Sequence, residues 1–281
     1  MAEFVAFADE AGALHINDRQ DFCFVSGFIA EVPVWGEFDA AWRERLEPGA
    51  PFSSKVFFSR DGAGRRRRPY HEWDDLRAAQ YVNSLIDVVR THPIVKVGGA
   101  VDVAAFRRYS LGERMFLTGA RFENGGFKTP GFPVRPYFVA FHSFIWHAMN
   151  SVPQGSKIRF VFCRSEDRLG WSKELYADIG NLTDRFGYDN RLGQLLFAYP
   201  QDEPGLQAAD LRVHLWSQVF ERQEAVSKDR LEALTYLEGD TRSHGVYDSD
   251  HMEESFRKLP LEQLKAMRAY RPGSRRRLPG V

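Results

Sequence analysis

The sequence predicts an α/β fold built on one mixed sheet, and three observations carry that expectation. Phe4–Ala8 is an unbroken apolar run, as in a strand buried on both faces, and it ends at once on Asp9-Glu10 and a small-Gly turn, Ala11-Gly12. A second apolar run, Asp21–Ala30, returns after a polar loop (His15–Gln20), which makes the first two strands an antiparallel pair. Beyond them, strand-like runs alternate with segments whose apolar residues recur at helical spacing.

Trp35, Phe38, Ala41, Trp42 and Leu46 mark a helix that stops at Pro48-Gly49. Ser54–Phe58 reads as a short strand, and Asp61–Tyr70 as a loop carrying Arg65, Arg66, Arg67 and Arg68. Trp73–Thr91 is helical, with Leu76, Ala79, Tyr81, Val82, Leu85, Val88 and Val89 recurring at helical spacing. Ile94–Val103 is a strand. Tyr109–Val134, rich in Gly and Pro, gives no regular pattern and reads as an insertion or lid. Pro136–Asn150 is an apolar helix, Lys157–Cys163 a buried strand, Trp171–Phe186 a helix and Leu192–Tyr199 a strand. Pro204–Arg222 is a helix opened by Pro in its first turn. Two shorter helices, Lys228–Leu237 and Leu261–Tyr270, flank a polar stretch, and a basic tail (Ser274–Arg277) closes the chain.

The chain of 281 residues is 43% hydrophobic with 23 Phe, enough for one sizeable core and far from the aromatic-poor composition of disorder. Its 38 basic and 38 acidic residues cancel, so any surface for nucleic acid must be a local patch. Cys23 and Cys163 lie in apolar runs and read as free thiols of a reducing compartment. With no secretory signal and no apolar stretch of membrane-spanning length, the expected location is cytoplasmic, without a membrane partner.

Three buried elements end on or carry acids. Asp9 and Glu10 close the first strand, Glu166 and Asp167 follow the Lys157–Cys163 strand, and Asp210 sits in Gln207-Ala208-Ala209-Asp210-Leu211. Gln207, Asp210 and His214 share one helix face by spacings of three and four. An Asp in a largely apolar helix is costly unless paired or bound to a cation. Acids on two strand ends and one helix would suit Mg2+ or Mn2+, which take oxygen ligands and can activate water against a phosphodiester.

These same segments resemble the family catalogued as domain of unknown function 3800. Asp9-Glu10-Ala11-Gly12 matches its opening Asp-Glu-Ser-Gly with Ala in the Ser place, and Phe22–Ala30 matches its apolar second strand. Gln207-Ala208-Ala209-Asp210-Leu211 matches its Gln-X-Ala-Asp-Leu helix in full. In the middle motif Cys163 or Arg164 stands where the first acid is expected, and Glu166 and Asp167 come slightly later. The resemblance spans residues 3 to 220 and implies a ribonuclease H-like fold, a mixed five-stranded sheet flanked by helices. On that reading residues 1–222 form the domain, with 104–135 as the insertion or lid, and 223–281 a helical C-terminal extension with its basic tail.

The resemblance implies a nuclease or phosphodiesterase acting on RNA or DNA. Asp9 is then the central metal ligand, Asp210 the helix ligand, Glu166 or Asp167 the middle one, and Glu10 a ligand or its support. Gln207 and His214 would back the helix ligand. Arg65–Arg68 and Lys55 are candidate phosphate contacts, and Tyr70 and Trp73 candidate stacking groups. A solvated loop accounts for the arginines equally well. The displaced middle acid motivates the alternative, an inactive module that binds nucleic acid or a partner protein. A homodimer surface, if there is one, is expected at Tyr109–Val134 or after Arg222.

Overall fold

The structure is a computed structural model and describes residues 2–120, 122–123, 126–127, 134–183, 191–221, 228–238 and 244–271. Chain order runs β1 (Glu3–Gly12), β2 (Phe22–Glu31), α1 (Val32–Arg45), α2 (Ser54–Phe58), α3 (Asp75–Thr91) and β3 (Val95–Asp102). Then come α4 (Val103–Arg108), α5 (Leu111–Leu117), the two-residue strands β4 (Phe122–Glu123) and β5 (Gly126–Phe127), α6 (Pro136–Asn150) and β6 (Lys157–Cys163). The last third holds α7 (Glu166–Thr183), β7 (Leu192–Ala198), α8 (Pro204–Glu221), α9 (Lys228–Glu238), β8 (His244–Tyr247), α10 (Ser249–Arg257) and α11 (Leu261–Arg268).

Five strands, in the order β7-β6-β1-β2-β3, make a mixed sheet flanked by helices, consistent with a ribonuclease H-like α/β fold, and β8 extends it at the β3 edge. β1, β2 and β3 are successive antiparallel neighbours, whereas β6 lies parallel to β1, β7 to β6, and β8 to β3. Side chains alternate across β1. Phe4, Ala6 and Ala8 enter the core under α6, with Phe138, Phe141 and Phe144. Val5 and Phe7 enter the opposite core with Leu206, Leu211 and Leu215 of α8, the aromatic residues of α1 and the aliphatic residues of α3.

Two close approaches fix where α8 and β2 lie relative to β1. A Cβ on Gly27 would sit 1.8 Å from the Phe7 carbonyl oxygen, and a Cβ on Gly205 would sit 2.4 Å from the Phe7 ring. Gly27 lets β2 close on β1, and Gly205 lets the start of α8 rest directly on the strand that carries Asp9. Farther along α8, the fully buried Arg212 joins three elements. It donates to both carboxylate oxygens of Glu238 on α9 at 2.8 and 3.2 Å, to Ser26 Oγ at 2.6 Å, and to the Val97 carbonyl at 2.6 Å. Trp216 Nε1 also donates to Glu238, at 2.9 Å, so the buried acid and base are both saturated.

Several elements differ from the sequence expectations. Ser54–Phe58 is one turn of helix, not a strand; among the described residues it has no strand neighbour, and Phe57 turns into a cluster of Phe52, Tyr70, Trp73 and Tyr81. α7 starts at Glu166, five residues before Trp171, so Glu166 and Asp167 occupy its first turn. The polar stretch before α11 contains β8 and α10, which a four-residue edge strand without an apolar run does not announce. Within Tyr109–Val134, α5 is opened by a capping box: Ser110 Oγ accepts from the Glu113 amide and Glu113 accepts from the Ser110 amide. The remainder of that segment in part, and the Ser274–Arg277 tail entirely, lie outside the described residues. Among the described residues no helix is long and apolar enough to cross a membrane.

Candidate metal centre and nucleic-acid face

Alternation along β1 separates its two terminal acids. Asp9 continues the Val5–Phe7 side and meets α8; Glu10 continues the Ala6–Ala8 side, below α6 and α7. The same parity on β6, where Val161 faces α8 and Phe160 and Phe162 face α6, brings Cys163 to the Asp9 side. Asp9, Cys163 and Asp210 therefore gather at the carboxyl end of β1 and β6, beside α8.

Asp9 is 8% exposed, accepts from the Glu10 amide at 2.9 Å, and shares a hydrogen bond with the Cys163 thiol. Burial first, then the charges of Glu10 and Asp210, push its pKa well above the ordinary Asp value. Asp210 is partly buried and accepts from the Ser54 amide at 2.6 Å. Its pKa is pushed up to about 6 by desolvation, against the hydrogen bonds from Ser54. The Ser54 hydroxyl lies near enough to Asp210 to lower that pKa, yet makes no hydrogen bond of good geometry and is fully buried. Proximity alone does not satisfy a buried hydroxyl. Neither Asp9 nor Asp210 is ion-paired to a described residue. Burial and the neighbouring Asp9, Glu10 and Asp210 charges also raise the Cys163 thiol pKa, so it stays protonated.

The other acids are placed elsewhere. Glu10 forms a buried ion pair with Arg168 of α7, each side chain 9% exposed, and the guanidinium lies over the Tyr137 ring at 5.0 Å. Burial still raises the Glu10 pKa, and Arg168 opposes it. Glu166 is exposed and bound to Arg164 at 2.7 Å. Asp167 is bound to Arg135 at 2.8 Å and accepts from the Ser165 hydroxyl. Among the described residues no three His, Cys, Asp or Glu side chains are grouped to hold one ion. The expected trio of Asp9, Asp210 and Glu166 or Asp167 is thus not assembled. A thiol occupies the strand-end position, and the later acids belong to a helix turn neutralised by arginines.

The two expected helpers of Asp210 do different things. Gln207 is fully buried: its Oε1 accepts from Trp42 Nε1 and from the Phe52 amide, both at 3.0 Å, and its Nε2 donates to the Pro200 carbonyl at 2.9 Å. It therefore holds the segment before α2 against α8, which carries Ser54 to Asp210. His214 stacks on Phe58 of α2 with ring centroids 4.7 Å apart.

α2 connects this centre to the basic loop. Arg66 donates to the Phe57 carbonyl at 3.1 Å and pairs with Asp75 at 2.8 Å, leaving 9% of its side chain exposed. Arg65 pairs with Asp61 at 3.2 Å. Arg67, Arg68 and Lys55 are exposed. Tyr70 is fully buried and Trp73 only 9% exposed within the aromatic cluster, so neither can stack on a base, which corrects that expectation.

Fit to a hard divalent ion rests on Asp9 and Asp210. Mg2+ is commonly held by one or two carboxylates with waters and substrate phosphate completing the shell. Two unpaired, mutually repelling carboxylates beside an unsatisfied buried hydroxyl match that donor set. No protein-family model matches the chain, and no curated protein matches it.

Proposed function

We propose that the chain is a divalent-metal-dependent phosphodiesterase acting on RNA or DNA, with Asp9 and Asp210 as its metal ligands. The observation that carries this reading is the buried Asp9–Asp210 pair. Burial raises the cost of ionising both, the Asp210 charge adds to it at Asp9, and no described cation relieves them. A bound Mg2+ or Mn2+ would offset that repulsion and supply the Lewis acid that lowers the pKa of an attacking water.

The residues themselves define the rest. Asp9 and Asp210 hold the ion, and the Ser54 amide fixes the orientation of the Asp210 carboxylate. Lys55, on the residue after Ser54, and Arg67 and Arg68 offer free cations for the nucleic-acid backbone. Arg66 ties their loop to α2. A cytoplasmic location would agree with two cysteines that form no disulfide among the described residues. The resemblance to the domain of unknown function 3800 family agrees with the same acids.

The test is cleavage of labelled single- and double-stranded RNA and DNA with Mn2+, comparing wild type, Asp9→Asn and Asp210→Asn. Loss of about 10²-fold or more in both variants is expected for removal of a metal ligand; unchanged cleavage in both would sink the reading.

A second reading is favoured by one observation, the Cys163 thiol at the strand-end position beside Asp9. It makes the chain a non-catalytic module in which Lys55, Arg67 and Arg68 bind nucleic acid or an acidic partner. It predicts binding that survives Asp9→Asn and needs no divalent ion.

A further inference from the structure

The number of ions and the full protein ligand set follow from features outside the two aspartates. Alternation sends Glu10 to the far face of the sheet, where Arg168 neutralises it in a buried pair. Arg135 and Arg164 neutralise Asp167 and Glu166. On the near face a cysteine, Cys163, stands at the strand end where another acid would be needed for a second ion. What remains beside Asp210 is a polar group with no apparent structural use: the hydroxyl of Ser54, fully buried and without a hydrogen bond of good geometry. Leaving a buried hydroxyl without a partner is destabilising. Its backbone amide already binds Asp210 Oδ2 at 2.6 Å, so the side chain is held at the carboxyl.

We infer that the centre binds a single divalent cation through Asp9, Asp210 and the Ser54 hydroxyl, with Glu10 excluded from the ligand set by its ion pair with Arg168. This rests on the metal-dependent reading above and adds stoichiometry and a third protein oxygen to it. A hydroxyl is a neutral, hard donor, so it adds a ligand without adding to the repulsion between the two carboxylates. Arg168 meanwhile is a built-in cation at the carboxylate that would otherwise attract a second ion.

Mn2+ binding to the full chain is measured by calorimetry and by loss of the free-ion electron paramagnetic resonance signal. Wild type, Ser54→Ala, Glu10→Gln and Asp9→Asn are compared, each with its metal-free Tm. One ion per chain is expected in wild type. Ser54→Ala keeps the amide that bonds Asp210, so it should weaken Mn2+ about tenfold while leaving the metal-free Tm equal or higher, since the orphan hydroxyl is gone. Glu10→Gln should keep Mn2+ affinity within about threefold, and Asp9→Asn should lose it. Two ions in wild type, unchanged affinity in Ser54→Ala, or a tenfold loss in Glu10→Gln would each overturn the inference while metal dependence stands. No Mn2+ bound to wild type would overturn the metal-dependent reading itself.

Discussion

The backbone amide of Ser54 donates to Oδ2 of Asp210 at 2.6 Å across 156 residues of sequence, joining a five-residue helix to the acid of α8. That bond depends on a neighbour one turn earlier in α8. Gln207 grips Phe52 and Trp42 and so fixes the chain two residues before Ser54. Gln207→Leu, similar in size, would strand the Phe52 amide and the Trp42 indole N–H inside the core. We expect a loss of about 2–4 kcal/mol by chemical denaturation. Mn2+ affinity should fall further than in Ser54→Ala, because the whole α2 segment is released.

The centre should make metal-free stability fall as pH rises. Asp210 has its folded pKa raised from 3.8 to about 6, and Asp9 is raised as well, both chiefly by desolvation. An acid with a raised folded pKa favours the folded state while protonated. Its contribution is complete below about pH 4 and lost as pH climbs through about 6. Thermal melts of Asp210→Asn against wild type in chelator should coincide more closely at pH 4.5 than at pH 7, where the variant should be the more stable by about 1 kcal/mol. Equal differences at both pH values would contradict this. Mn2+ should raise the wild-type Tm at pH 7 and do so progressively less as pH drops below 6, since the ligands must be deprotonated.

The arginine loop should divide into binding and structural members. Arg67 and Arg68 are exposed, so replacing both with Ser should weaken nucleic-acid binding and reduce the slope of log affinity against log salt by about 1.4–1.8, two phosphates' worth. Arg66→Ser should instead lower stability by about 1–3 kcal/mol, since it strips the bond to the Phe57 carbonyl and the pair with Asp75. Fluorescence anisotropy across a salt series, with a parallel melt, separates the two effects.

Arg212 and Glu238 anchor α9 to the sheet. Arg212→Met leaves the Glu238 carboxylate in the core with, among the described residues, the Trp216 indole N–H and nearby Lys96, and should cost about 3–5 kcal/mol. Adding Glu238→Gln to it should recover part of that loss, because no buried charge is then left alone; a double-mutant cycle measures the coupling. Simple additivity of the two substitutions would show that the pair is not energetically linked.

The sequence determined the parts of this protein that follow from short-range pattern. Apolar-rich runs, unbroken only in β1, marked β1, β2, β3 and β6; helical spacing marked α1, α3, α6 and α8; and an Asp in an apolar helix marked Asp210 as a group needing compensation. Tertiary structure alone decided which acids meet. Asp9 and Glu10 are adjacent in the chain and face opposite cores, because side chains alternate along a strand. Glu166 and Asp167 look like a strand-end pair and are the arginine-bound first turn of α7. Ser54 carries no signal at all, and Ser54–Phe58 has the composition of a strand. It becomes a helical turn because Phe57 finds its partners in Phe52, Tyr70, Trp73 and Tyr81, and Gln207 holds the preceding chain. Local pattern fixes an element when burial repeats along it; a site joined across 156 residues is fixed only by the packing that brings its pieces together.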